Sequence, residues 1–183
     1  MKRLSALAIL LAALLSARCD LFNQVDDIGF NAELSESLTV SDNTTGTNKS
    51  ISQSFTVDAL DNPEIEPYKD KLKRITVEEI RYRLTSFTGD NTTTLSGNVV
   101  LQDASTNATV ATVAIAEFNL SDAFAAGTEF VLPLTEADYT AVSNLLLDSK
   151  TAKATVTGTI SKTPVSAVIE FTFRVGVTAE VLN

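Results

Sequence analysis

Histidine and tryptophan are absent from this 183-residue sequence, cysteine occurs once, and glycine only seven times. Each shortage removes a class of chemistry. Without histidine there is no imidazole general base, no Ser-His-Asp relay and none of the common zinc sites. A single cysteine, Cys19, forms no internal disulfide, thiolate cluster or CxxC redox pair. The glycines include no phosphate-cradling loop and no G-x-S-x-G elbow. Basic residues are also short, 14 against 23 acidic, and the net charge of −9 repels phosphate backbones, so no nucleic acid is expected as a partner. The expectation is a non-enzymatic chain with no catalytic residues, no cofactor and no metal.

What carboxylates remain do not converge in the sequence. Asp58 with Asp61, and Glu64 with Glu66, fall in a stretch of turn composition, and a glycosidase pair there would lack a tryptophan platform for sugar. "DALDNPE" holds oxygen ligands but not the dense spacing and central glycine of a calcium loop. Glu78 and Glu79 are neighbours on a strand and point to opposite faces unless a bulge intervenes.

The front end is patterned differently from the rest. Lys2 and Arg3 precede the apolar run "LSALAILLAALLSA", whose 14 residues rise roughly 21 Å as a helix at ~1.5 Å per residue. A bilayer core is about 30 Å thick, so the pattern predicts a removable leader over residues 1–18 and not a lasting span. Residues 19–27 are polar-leaning and predict a tether, with one domain over 28–183. Removal of the leader takes away Lys2, Arg3 and Arg18 but no acid, which makes the balance still more acidic.

Behind the tether, alternation of apolar and polar residues dominates. Ile28, Phe30, Ala32 and Leu34 share one face of a strand; Ile51, Phe55 and Val57 mark a second; "SDNTTGTNKS" between them predicts a loop. In "ITVEEIRYRLTSF" the apolar parity changes at Glu78 and Glu79, which predicts a bulge, and a second slip falls near Glu117. Pro133 ends a strand or places it at an edge. The final run from Val165 to Val181 is apolar at every second residue, with a bend expected at Gly176. The convincing helix is 135–149, with Thr135 as N-cap and Asp138 completing a capping box, while prolines suggest a short helical connector near 67–73. This adds up to an all-β, antiparallel two-sheet sandwich of about eight strands, with a closed β-barrel as the alternative. Five N-x-[ST] sequons, at Asn43, Asn48, Asn91, Asn107 and Asn119, are consistent with surface loops.

The run "LLSARCD" resembles the leader of a bacterial lipoprotein, with Leu15, Ser16 and Ala17 approaching Cys19. Arg18 departs from the small residue that family places before its cysteine. The resemblance implies lipid attachment at Cys19 and a protein exported to the bacterial cell envelope and anchored there to a membrane. Cleavage after Ala17 would instead leave a secreted, soluble chain. The order of segments from Ile75 to Val181, "ITVEEIRYRL", "LSGNVV", "FVLPL", a helix with "LLL", "TVTGTI" and a last apolar strand, resembles the late-embryogenesis-abundant group 2 (water-stress and hypersensitive response) domain. That likeness implies an immunoglobulin-like sandwich and brings no catalytic residue. Together these features predict a membrane-tethered structural or protein-interaction module of the bacterial envelope with a protein partner. The alternative is a binder of a small apolar ligand inside the β body.

Overall fold

The computed structural model describes residues 27–181, so the leader, the tether and Cys19 lie outside the described residues. Six strands and two helices follow one another as β1 (Asp27–Asp58), β2 (Leu72–Gly89), β3 (Thr94–Gln102), β4 (Thr109–Asn119), α1 (Leu120–Ala126), β5 (Glu129–Val131), α2 (Glu136–Ser149) and β6 (Thr151–Glu180). All pairings are antiparallel, and the order across the sheet is β4-β3-β6-β2-β5, with β1 on the remaining side of β6.

β6 is the spine. Its first half pairs with β3 on one side and with the second half of β1 on the other; its second half pairs with β2 and with the first half of β1. The β1–β6 ribbon therefore passes through both layers. Its register slips where Asp42 lies opposite Val165 and Gly46 opposite Thr163. There the buried parity of β6 changes from Ala152, Ala154, Val156 and Ile160 to Val165, Ala167, Ile169 and Phe171, so each half turns its apolar side chains to the same interior. We call the half built from β4, β3, the start of β6 and the end of β1 sheet I, and the other half sheet II.

Fewer strands are observed than alternation suggests because two of them run through the bend. Residues 41–50, expected as a loop, remain in β1. Asp42 holds the turn there: its Oδ1 accepts the amide of Thr44 at 2.8 Å and its hydroxyl at 2.6 Å. The same Asp-x-Ser/Thr device recurs at Asp90 with Thr92 and at Asp103 with Ser105. The hydroxyl and amide hydrogen bonds from Thr92 pull the Asp90 carboxyl down to about 2.

The interior is aromatic where the layers meet. Phe55 of sheet I lies 4.8 Å from Phe171 of sheet II, which also stacks on Tyr82 at 5.7 Å. Tyr82 in turn stacks on Phe130 at 5.1 Å and reaches Phe118 of β4 at 6.2 Å. Contacts of this kind add about 0.5–1.5 kcal/mol each beyond their buried area. Burial pushes the Tyr82 phenol up to about 12.

The predicted bulges are present. Between Val77 and Glu79, β2 advances two residues while β6 advances one, and between Ile115 and Phe118, β4 gains one residue on β3. Gly176 keeps regular pairing to both neighbours and is no bend; it lies beneath the bulge of β2, where a Cβ would approach the Glu78 carboxylate. α2 carries the Thr135–Asp138 capping box and buries Val142, Ser143, Leu145 and Leu146. The connector is shorter than expected, a 3-10 turn at Glu66–Tyr68. α1, unforeseen, is capped by Asn119, whose side chain accepts the Asp122 amide, and ends at Gly127 with φ of 60°.

Candidate interaction surface

The structure brings Glu33, Glu36, Asp58 and Asp61 around a hollow of about 210 Å³ between β1 and the segment that follows it. The Glu36 carboxyl titrates above its ordinary range, first through burial and then through the charge of Asp61. Asp58 is spent locally, accepting the Leu60 amide at 2.8 Å. Glu66 pairs with Lys69 at 3.2 Å, and Asn62 accepts the Glu64 amide at 2.8 Å. Among the described residues no three acids are placed to hold a metal ion. The bulge leaves Glu78 and Glu79 on the same outer face of β2, Glu78 beside Gly176 and Glu79 engaging Arg81 and Arg174.

The outer face of sheet II is a lattice of charge. Arg81 pairs with Glu79 and, at 3.2 Å, with Glu129; Arg83 meets Glu170 at 2.8 Å; Arg174 lies 3.8 Å from Glu79. The hydrogen bond to Glu79, ahead of the nearby charges, raises the Arg81 guanidinium above its ordinary value.

The outer face of sheet I has a different composition. Register places its outward residues in rows that cross four strands: Ser52, Thr157, Asn98 and Ala114; Ser54, Thr155, Val100 and Thr112; Thr56, Lys153, Gln102 and Thr109. Adjacent rows repeat every second residue, and the strands lie about 4.8 Å apart. Lys153 is the one charged residue in these rows, and it sits at an end, donating to Asn107 Oδ1 at 2.7 Å. Neighbouring hydroxyls bond to one another: Ser54 lies 3.1 Å from Thr155, and Thr155 donates to Gln102 Oε1 at 3.1 Å. The face therefore presents mainly hydroxyls, amides and methyls in a protein whose net charge is −9. Thr155, Thr157 and Thr159 stand at alternate positions in the sequence; only the pairing of β6 with both β3 and β1 shows that they are the middle of a surface.

Beneath this surface the strands approach closely. Gly97 faces Gly158, and a Cβ on either would come within 2.0–2.2 Å of a backbone carbonyl oxygen on the adjacent strand. Glycine is required at both positions.

No family model matches the sequence, and no curated protein matches it. Solved structures with a similar course of strands include viral coat proteins. The decameric BFDV capsid protein overlays with a TM-score of 0.48 at 12% identity, covering 82% of this chain and 99% of that one. Tobacco necrosis virus gives 0.40 at 12%, covering 84% of each, and turnip yellow mosaic virus gives 0.38 at 8%, covering 85% and 97%. At such overlaps the likeness is confined to the general strand arrangement.

These neighbours correct several expectations. They are not bacterial envelope lipoproteins or late-embryogenesis-abundant domains, so both resemblances drawn from the sequence are set aside. With the lipoprotein reading go the envelope function, the lipid-anchored location, the alternative of a secreted soluble chain, and the membrane as partner through Cys19. The physical reason is that the lipobox reading rested on a few residues around Cys19 with a mismatched Arg18, and the segment order rested on strand-helix alternation common to many β proteins. The apolar-ligand alternative goes with them, and between the layers Phe55, Tyr82, Phe118, Phe130 and Phe171 lie in contact with one another.

Proposed function

We propose that this chain is a structural, non-catalytic subunit that associates with copies of itself, sheet I being the half that makes the contacts and sheet II the half that stays in water. The observation that carries the reading is the neutral outer surface of sheet I. Between like-charged molecules, a contact must bring together regions with little charge, since juxtaposed like charges cost several kcal/mol. Sheet I offers such a region, whereas sheet II would bring ion-pair networks together and strip them of solvent. The missing histidine, the single cysteine and the dispersal of carboxylates into turns and ion pairs support a role without catalysis.

Sedimentation of the full chain over a range of concentrations tests the reading. The mass should rise with concentration, and amide exchange at high concentration should slow in β3, β4 and the first half of β6. A chain that stays monomeric throughout, or slows only in β2 and β5, overturns the proposal.

A further inference from the structure

We infer that β4 is the joint: two copies pair their β4 strands antiparallel through Ala111–Ile115, which continues sheet I across a two-fold axis. This rests on the self-association proposed above and assigns it a site.

The argument is a comparison of edges. An open strand edge templates pairing with another chain, and proteins ordinarily blunt it. β1 is blunted in its first half by Asn62, whose side-chain amide donates to the Glu33 carbonyl at 2.9 Å, and at the bend by the slip at Asp42–Gly46. In its sheet I half it is blunted by Lys49 and Gln53, polar residues standing opposite the inward Ile160 and Val156. β2 is capped from Val77 to Arg83. The Ser143 hydroxyl accepts the Val77 amide at 2.8 Å, the Leu132 amide donates to the Ile80 carbonyl at 2.9 Å, and β5 pairs with Arg81–Arg83. β5 itself spans three residues, with Pro133 two positions on.

β4 has no such device along Ala111–Ile115, where the ladder to β3 is the only backbone pairing among the described residues. Register slips bracket this stretch at both ends and leave five regular residues, the length of an ordinary strand. It contains no charge, glycine or proline, and its β-branched residues favour pairing.

Its occupant follows from charge and parity. Ala111, Val113 and Ile115 face inward while Thr112 and Ala114 face out. Antiparallel self-pairing about the middle of the stretch sets inward beside inward and outward beside outward, so the core and the hydroxyl face both continue across the axis. The one charge of β4, Glu117, lies beyond the stretch, and the axis sends the two copies of it to opposite ends. A second copy thus needs no compensating cation.

The test compares three full-length proteins by sedimentation: wild type, Thr112→Lys with Ala114→Lys at the edge, and Ser52→Lys with Ser54→Lys on the same face but three strands away. All altered residues are exposed, and circular dichroism confirms that each protein folds. The joint at β4 predicts a dimer in the wild type, a dissociation constant raised at least about tenfold by the edge pair, and little change from the distant pair. It also predicts concentration-dependent exchange protection of amides in Ala111–Ile115. If the edge pair leaves association intact while the distant pair abolishes it, the copies meet at the β1 side or by their faces; the joint is then wrong and the self-association reading survives. A wild type that never associates removes both.

Discussion

Sheet I and sheet II share one spine and one core, yet they meet water through opposite chemistry. Along β6 the outward positions change from Lys153, Thr155, Thr157 and Thr159 to Glu170, Thr172 and Arg174 within a single strand. Inward, the same strand is apolar on either side of the bend at Thr163, and the interior aromatic contacts tie the halves together. The difference shows that the fold is set by the inward positions and leaves the outward ones free to diverge. In sheet II they hold ion pairs; in sheet I they form a surface that costs little to dehydrate.

The comparison is broken most severely where sheet I is tightest. Gly97→Ala should destabilise the protein by about 3 kcal/mol, because the added Cβ meets backbone and not a movable side chain, and chemical denaturation measures the loss. The shared interior comes next. Tyr82 is held neutral by burial, so its contribution is whole below pH 10 and drains away as the pH rises towards about 12. Tyr82→Phe should remove on the order of 2 kcal/mol of this alkaline loss, seen as a flatter stability profile above pH 10. In sheet II, Arg83→Ala breaks exposed pairs with Glu170 and Glu129 and should cost about 0.5 kcal/mol at low salt and less at high salt. Smallest is Thr155→Val on sheet I, within about 0.5 kcal/mol by thermal unfolding, since a β-branched residue of the same shape replaces a half-buried one at the sheet surface. An effect of several kcal/mol there would mean that the hydroxyl rows hold the fold, and the contrast between the faces would need recasting.

Local features were legible in the sequence because local chemistry makes them. Thr135 and Asp138 announced α2, and the parity changes at Glu78 and Glu117 announced bulges. Residues 41–50 misled because serine, threonine, asparagine and glycine suit a loop, and no apolar side of the strand remains where the ribbon bends between layers. α1 spans only seven residues, yet Asn119, Asp122 and Gly127 were its available signals. The candidate surface was not legible at all: its rows combine residues more than a hundred positions apart, as in Ser52 with Thr157, and alternation cannot say which strands become neighbours. Cys19, the most conspicuous residue of the sequence, lies outside the described residues.

The central place of β6 also sets a timetable. Among the described residues it is the last strand in chain order, and β1, the first of them, pairs with no other strand; Asp27 waits for Glu180. On a ribosome, the β2–β5 and β3–β4 pairs can form early, but neither sheet can close until the final thirty-residue strand has emerged. Such distant pairings place folding in the range of milliseconds to seconds. Throughout synthesis β1 is an unpaired strand that a holdase chaperone would meet before its own partner exists.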